Sequence, residues 1–386
     1  MVLTILHTSD SHLDVPAVMF GSRRYERKKD FLQTFDTMVE YALEKRPDLL
    51  LHSGDLFDGL NPRNPVRAQV MTAFRKIHEN GTRIFVISGN HDVPRGVGQG
   101  VSPLLEYARA GFVTFFSDWD TIGSESVDVK GLNVEVSGIS FNPTMDARTD
   151  PLGQVSIPGK GDVSILLIHQ NIEGLRGTFT TTPTIRLASV AKNLTYLAIG
   201  HIHEHQKQQV GNTMICAPGS TEHVSFAEEK QQKCFVWLEL DTDGVHQLKF
   251  IPVKTRPMQT LDITIPTDAD INDLLIKEIN RLRNPQLILR FHLKGVMTIK
   301  SAECYRRSEV LRHGFAKCFS AEIVDELEYV NPEPQPSGEA QLKPPLTEYR
   351  DLLSAYIQRE KDAAKQALLQ KALERGLALL EEEGGW

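Results

Sequence analysis

The stretch Ile84-Phe85-Val86-Ile87-Ser88-Gly89-Asn90-His91-Asp92 decides how this chain is read. A short continuous run of large apolar residues predicts a strand over Ile84–Ser88, buried on both faces. The run breaks at a glycine and then sets out an amide, an imidazole and a carboxylate in succession. The same pattern recurs to either side. Leu49–His52 predicts a buried strand running into Gly54-Asp55, and Leu3–His7 one running into Asp10-Ser11-His12. Further along, Ile165–Ile168 is followed by His169, and Tyr196–Ile199 by Gly200-His201-Ile202-His203. Helical stripes separate the first three strands: Phe31, Phe35, Met38 and Ala42, stopped by Pro47, then Val66, Val70, Phe74 and Ile77, closed by Gly81. Buried strands alternating with amphipathic helices predict a layered α/β core. In such sheets ligands bind beyond the carboxyl ends of the strands, so five strand ends aim their donors at one edge.

Strands at Val134–Ile139, Phe235–Leu240 and Leu248–Val253 extend this core to residue 254. The pattern changes at Thr255-Arg256-Pro257. Strands at Leu261–Ile265, Leu287–Leu293 and Glu322–Tyr329, with helices at Ile271–Leu282 and Cys304–Gly314, predict a small separate α+β domain over 255–330. Residues 331–346 include Asn331-Pro332-Glu333-Pro334-Gln335-Pro336 and Pro344-Pro345, a proline density that predicts a semi-extended linker. The segment 347–386 is rich in Ala, Leu, Glu, Lys and Gln and predicts helix, with Tyr349, Leu353 and Tyr356 in one stripe and Ala364, Leu368, Ala372 and Leu379 in another. An amphipathic helix beyond a linker folds back or docks on a partner, and docking is the expectation.

At 386 residues the chain has room for two domains, or three pieces. With 40% hydrophobic and 24% charged residues its bulk is globular, not disordered. No apolar run approaches the ~20 residues a membrane span needs. Met1–Leu6 reads as a strand instead of a signal peptide, so a cytoplasmic location is expected. Lys and Arg total 43 against 50 Asp and Glu, a net charge of −7. That excludes a polycationic surface: nucleic-acid binding would need a local patch, metal ions or a partner. Cys216, Cys234, Cys304 and Cys318 form no C-x-x-C pair and read as buried free thiols.

The donors at the strand ends mix carboxylate, amide and imidazole, with no thiolate. That set suits Mn²⁺, Fe²⁺ or Zn²⁺ and disfavours Ca²⁺. Seven donors exceed what one ion with an open position takes, and fit two ions sharing a bridging carboxylate. Such a pair, roughly 3.5–4 Å apart, clamps a phosphoryl group and lowers the pKa of a bridging water. Each piece alone is weak, since a lone Asp-x-His occurs by chance and a lone His169 would be a satisfied core histidine. The signal is the conjunction of five unrelated elements that end the same way.

The order Asp-x-His, Gly-Asp, Gly-Asn-His-Asp, His, Gly-His-x-His resembles the signature of calcineurin-like metallophosphoesterases. More narrowly, His7-Thr8-Ser9-Asp10-Ser11-His12-Leu13, Ser53-Gly54-Asp55-Leu56-Phe57-Asp58, Ile168-His169-Gln170 and Pro218-Gly219-Ser220-Thr221-Glu222 resemble the SbcD nuclease family. The resemblance implies a layered metallophosphoesterase β-sandwich flanked by helices (1–254), a small α+β capping domain (255–330), the linker, and a C-terminal helical tail that docks an SbcC-type coiled-coil ATPase. It implies that Asp10, His12 and His203 hold one metal, that Asn90, His169 and His201 hold the other, and that Asp55 bridges. Two divalent ions are expected, Mn²⁺ foremost, with Mg²⁺, Fe²⁺ or Zn²⁺ as alternatives. His91 then stabilises the transition state or protonates the leaving oxygen, with Asp92 orienting it. The implied activity is a DNA nuclease of double-strand-break repair, a 3′–5′ exonuclease on duplex ends and a single-strand endonuclease. The family also implies a homodimer, through the segments around Val66–Ile77 and Leu104–Tyr107. Two departures stand out: Asp58 lies where archaeal and eukaryotic relatives usually carry histidine, and Ser11 replaces the commoner aromatic.

Independently of family, Arg23, Arg24, Arg27, Lys28 and Lys29 cluster at a helix start, where cations oppose the helix dipole. In a net acidic chain such a cluster suggests phosphate contact, with Arg63 as a further DNA-binding candidate and Tyr25 able to stack on a base. No Ser, Thr or Cys sits in a nucleophile context, so hydrolysis without a covalent intermediate is expected. Gly96-Val97-Gly98-Gln99-Gly100 lacks the lysine of a P-loop, so ATP dependence would come from the partner. The alternative is a metallophosphoesterase for another phosphodiester or phosphomonoester, such as a nucleotide.

Overall fold

The computed structural model describes residues 2–96, 100–153, 155, 157–177, 181–267, 269–330 and 345–382. The central part of the glycine-rich loop at 96–100 and most of the proline-rich linker lie outside them. The chain opens with β1 (Leu3–Thr8), α1 (Arg24–Lys45), β2 (Leu49–Ser53), α2 (Asn64–Glu79), β3 (Arg83–Ile87), α3 (Leu104–Arg109) and β4 (Thr114–Phe115). It then crosses to β5 (Gly123–Val129), β6 (Leu132–Ile139), β7 (Val163–His169), the short pair β8 (Asn171–Ile172) and β9 (Thr184–Ile185), β10 (Tyr196–Gly200), β11 (Gln206–Val210) and β12 (Thr213–Ala217). It returns through β13 (Cys234–Asp241) and β14 (Gly244–Pro252).

These strands form two six-stranded sheets, ordered β14-β13-β1-β2-β3-β4 and β11-β12-β10-β7-β6-β5. The sheets stack through alternate residues: Leu3, Ile5, Leu49, Leu51, Phe85 and Ile87 of the first meet Val134, Val136, Ile165, Leu167, Tyr196 and Ala198 of the second. On the outer face of the first sheet, Leu6, Leu50, Ile84 and Val86 pack on Phe31, Phe35, Met38, Val70, Phe74 and Ile77 of α1 and α2. Outside the second, Leu166, Ile168, Leu197 and Ile199 are covered by Ile172, Ile185, Leu194 and Ile202. Strands covered on both faces need the uninterrupted apolar runs seen in the sequence. β1, β2 and β3 pair in parallel, as do β7 and β10, so each group presents its carboxyl ends together.

Val66, Val70, Phe74, Ile77, Leu104 and Tyr107, on the inner faces of α2 and α3, all lie in the chain's own core.

Beyond Pro252 the chain builds a third sheet from β15 (Met258–Ile265), α4 (Ile271–Leu282), β16 (Ile288–Thr298), α5 (Ile299–Cys304), α6 (Arg307–Lys317) and β17 (Ser320–Val330), with strand order β15-β16-β17. It has a core of its own around Leu275, Ile279, Leu289, Phe291 and Val310. Met1–Tyr329 nonetheless form one compact unit. The seam runs through Arg256, whose guanidinium lies 3.6 Å from the Phe319 ring centre and donates to Asp30 of α1 at 2.6 and 2.8 Å. Three cysteines are buried as expected, whereas Cys304 is exposed at the end of α5.

Val330–Trp386 form a second unit. Where one helix was read, two are found: α7 (Pro345–Arg359) and α8 (Ala363–Glu382). The break falls at Glu360–Asp362, where Asp362 Oδ1 accepts from Ala364 N at 2.9 Å and starts α8 as an N-cap. Tyr349 Oη donates to Ala372 O at 3.0 Å, tying the two helices into a hairpin. Among the described residues no helix is long and apolar enough to cross a membrane.

Candidate metal centre

The backbone at the strand ends is bent sharply enough to bring the donors together. Asp10 (φ 49°), His12 (φ 43°), Asp55 (φ 52°) and His201 (φ 81°) all lie in the left-handed region. For non-glycine residues that conformation costs on the order of 1 kcal/mol or more each, and it persists where packing enforces it. The loop after β1 is laced to the loop after β2: Asp10 N donates to Gly54 O, His12 N to Asp55 O and Leu13 N to Leu56 O, at 2.9–3.0 Å. Gly200 allows β10 to close on this edge. A Cβ there would lie 1.9 Å from Ser53 O and 2.5 Å from His169 Nδ1.

The side chains then converge. His12 Nε2 and His203 Nε2 face each other at 3.1 Å, and His203 Nε2 lies 3.8 Å from Asp10 Oδ1. His169 Nε2 lies 3.2 Å from Asp55 Oδ2 and 3.2 Å from Asn90 Oδ1. His201 Nδ1 lies 2.9 Å from the same Asn90 oxygen. Asp55 sits between the two groups, 3.9 Å from His12 Nε2 on one side and bonded to His169 on the other. The structure thus gathers Asp10, His12 and His203 in one cluster and Asn90, His169 and His201 in another, with Asp55 between them.

The outward nitrogens are held by a second layer. His169 Nδ1 meets Ser53 O at 2.8 Å, which places the proton on Nδ1 and turns the Nε2 lone pair inward. His12 Nδ1 meets Asp58 Oδ1 at 3.1 Å. His203 Nδ1 meets Glu228 Oε1 at 2.9 Å. Glu228 is in turn bonded at 2.6 Å by Lys233, a fully buried lysine whose ammonium also reaches Ser220 Oγ, Gln231 Oε1 and His203 O. Partners of this kind fix tautomer and orientation in metal-ligating histidines. Sequence reasoning missed Glu228 and Lys233. The quoted Pro218–Glu222 stretch marked their vicinity, since Ser220 Oγ donates to Glu222 O and also bonds Glu228.

Asp10 and Asp55 are fully buried, and among the described residues neither is ion-paired to Lys or Arg. Neighbouring imidazoles face both carboxylates, and the backbone N–H groups of His201 and His91 donate to Asp10 and Asp55. Burial pulls the His12 imidazole down, but the Asp58 hydrogen bond and the charges of Asp55 and Asp10 outweigh it and lift His12 to about 9. Burial likewise opposes His169, and Asp55 and Asp10 raise it to about 9. Burial would raise the Asp55 carboxyl, yet His169, His12 and His91 hold it below the ordinary carboxylate range. His201 is lowered to about 3 by burial and then by the charge on His169. Two buried carboxylates that retain protons on neighbouring imidazoles are a charge arrangement that divalent cations complete, displacing those protons. The residues present therefore fit a two-ion centre, and Asp10–His12–His203 and Asp10–Asp55–His169 each offer ligand atoms within 4.8 Å of one another.

His91 stands apart. Its side chain is 36% exposed at the rim, and its Nδ1 faces Asp58, 3.4 Å from the carbonyl and 3.6 Å from Oδ1. Asp92 does not orient it, which corrects the sequence reading. Asp92 Oδ2 accepts from Leu56 N and Phe57 N, and Oδ1 from Gly89 N. Burial, with the Asp55 charge adding to it, pushes the Asp92 carboxyl up to about 7. Asp92 fastens the β2 and β3 loops together, and Asp58 is the carboxylate that faces both His91 and His12.

The basic cluster also divides. Arg27 is 2% exposed and committed to Asp30, Glu222 and His223 O. Arg23 donates to the carbonyls of Phe315, Cys318 and Phe319. Both were expected at a DNA surface, and both serve internal packing, because a guanidinium with five donors is well suited to satisfy buried carbonyls. Arg24 and Arg63 are exposed, while Lys28 and Arg63 share Asp14 Oδ1 at 2.9 and 2.8 Å.

The calcineurin-like phosphoesterase family pattern matches residues 3–205, more than half of the chain. The chain is also similar to the DNA double-strand break repair protein Mre11 of Methanocaldococcus jannaschii, 27% identical over 307 residues that cover 74% of this chain and 75% of that protein. The protein of the same name from Sulfolobus acidocaldarius is 25% identical over 322 residues, 80% of each chain. That from Saccharolobus solfataricus is 27% identical over 311 residues, 76% of each. With the donor-bearing strand ends, their shared edge and this match together, the chain belongs to the calcineurin-like phosphoesterases and is a metal-dependent phosphoester hydrolase.

Proposed function

We propose that this protein is a DNA nuclease that processes double-strand ends, acting as a 3′–5′ exonuclease on duplex DNA and an endonuclease on single strands. The observation that carries the reading is an exposed imidazole, His91, at the rim of a buried seven-donor centre, in a chain resembling break-repair proteins along three quarters of its length. A phosphodiester needs what this arrangement offers: anion-stabilising charge within and a separate proton donor outside. Divalent ions held by Asp10, His12, Asp55, Asn90, His169, His201 and His203, with Mn²⁺ foremost, supply Lewis-acid chemistry and an activated water when bound.

The chain's own residues do the rest. Asp58 faces His91 Nδ1, and the His91 imidazole, exposed beside the centre, delivers a proton to the departing 3′-oxygen. Ser53, Asp58 and Glu228 keep the ligand imidazoles turned inward. The third sheet caps the phosphoesterase part. The α7–α8 hairpin exposes Leu352, Tyr356, Leu368 and Leu379, a surface suited to an SbcC-type coiled-coil ATPase, and the assembly acts as a homodimer in the cytoplasm.

The test is digestion of end-labelled linear duplex DNA with Mn²⁺, beside a His91→Ala variant and a small phosphodiester. Wild type should shorten the duplex while His91→Ala falls by about 10²–10⁴-fold, the usual contribution of a positioned general acid. Cleavage of the small ester alone, with intact DNA, would reject the nuclease reading and leave the phosphoesterase.

A further inference from the structure

The reading of the chain as a DNA nuclease leaves one exposed feature unused, at the start of α1. Tyr25 is 53% exposed, and the turn before it exposes Val18 and Met19 at 73% and 55%. The apolar side chains that mark α1 and α2 in the sequence are buried, so exposed apolar surface on this segment is notable. Cations surround it. The Arg24 guanidinium carbon lies 4.8 Å from the Tyr25 ring centre and that of Arg63 lies 5.7 Å away. Arg24 is exposed and donates to Tyr25 Oη at 3.0 Å. Arg63 is fixed: its backbone N and its Nε both donate to Asp14, at 2.8 Å each. Asp14 also binds Lys28, one turn along α1 from Arg24 and Tyr25. A single carboxylate thus ties the first turns of α1 to the start of α2, and it lies two residues beyond the ligand His12.

We infer that Tyr25, with Arg24 and Arg63, forms a binding platform for an unpaired nucleobase at the end of the DNA substrate. The chemistry matches the ligand on both counts. An aromatic face takes the π-surface of any base, and flanking guanidiniums take its phosphates. Mounting on two helices joined through Asp14 keeps the platform in register with the centre. A base inside a duplex has no free face to offer, so the platform selects frayed or single-stranded ends. It rests on the nuclease reading and adds to it the part of the substrate that is gripped.

The experiment compares wild type, Tyr25→Ala and Tyr25→Phe in binding two oligonucleotides, with metal omitted so that no cleavage intervenes. One is single-stranded and carries 2-aminopurine at its end; the other is of equal length and abasic at the terminal positions. Tyr25→Ala should bind the first about tenfold more weakly and lose the quenching of 2-aminopurine, while binding the abasic strand as wild type does. Tyr25→Phe should restore both affinity and quenching. Unchanged melting temperatures exclude misfolding, since the side chain is half exposed. If Tyr25→Ala binds both strands like wild type, the platform is rejected and the nuclease reading stands. If wild type binds neither strand and, in a parallel digestion with Mn²⁺, leaves duplex DNA intact, both fall together.

Discussion

At the scale of single residues, the histidines divide by environment. His12 and His169, beside buried carboxylates, rise to about 9. His7 and His52 lie behind the centre and are lowered to about 3 and about 4, by burial first and by neighbouring imidazoles second for His7. His7 is pinned between Tyr196 Oη and Ser53 Oγ at 2.8 Å each. Linkage gives each pair a sign. A raised group binds more protons in the folded state, so its stability is fully present below pH ~6.5 and lost as pH rises towards 9. A lowered histidine contributes stability present above pH ~6.5 and lost as pH falls towards 3–4. Each shift is on the order of a few kcal/mol. The metal-free protein should therefore be most stable near pH 6.5, with its melting temperature falling on both sides. Loaded with Mn²⁺, the alkaline fall should vanish, because the ions replace the protons on His12 and His169. Scanning calorimetry from pH 4 to 9.5 with and without chelator decides this, and an alkaline decline that survives saturating metal would contradict it. Asp92 and Asp58 show what one residue can conceal: in the sequence Asp92 adjoins His91, yet the chain turns its carboxylate to three amides and leaves His91 facing Asp58.

At the scale of elements, the strand ends hold the site together. β10 reaches the edge only because Gly200 has no side chain between Ser53 O and His169. Gly200→Ala forces that contact open, and overpacking of this kind costs about 1–3 kcal/mol. Because the displaced atoms belong to His169 and its orienting carbonyl, metal affinity should drop at least tenfold alongside the loss measured by denaturant unfolding. Loss of stability with wild-type Mn²⁺ affinity would show that β10 does not position His169. The buried strands were legible because continuous apolar runs encode burial on both faces. β5, β11 and β12 were not. β5 and β11 are sheet edges with alternating or polar sequences, Ser124–Asp128 and Gln206–Gln209 among them, and local pattern does not separate those from loop. The tail was legible as helix, but its break was not, because Glu360-Lys361-Asp362 are all tolerated within a helix and only the pairing of α7 with α8 favours the turn.

At the scale of the whole molecule, the third sheet is held to the first part of the chain by a seam of charge and stacking. Arg256 bonds Asp30 through two nitrogens, reaches Gln286 Oε1 at 2.7 Å and stacks on Phe319. Removing one partner of a buried pair costs about 3–5 kcal/mol, and Arg27 at 3.0 Å still bonds Asp30, which places Arg256→Ala at the low end. Hydrogen exchange should accelerate over β15–β17 while β1–β3 keep their protection. Uniform acceleration would mean that the sheets unfold together and that Arg256 is not a local clasp.

The amino-acid sequence by itself determined the layered core and the shared edge at which the candidate donor side chains gather. Those follow from periodicity within each strand and helix and from the rule that parallel strands end together. The tertiary structure alone decided which carboxylate serves which histidine, that Glu228 and Lys233 stand behind His203, and that Arg23 and Arg27 face inward while Tyr25 faces out. These depend on contacts between residues up to about 300 positions apart, such as Arg23 with Phe319. A charged side chain looks the same in sequence whether it meets water or a buried carbonyl. Only the packing of the sheets settles which.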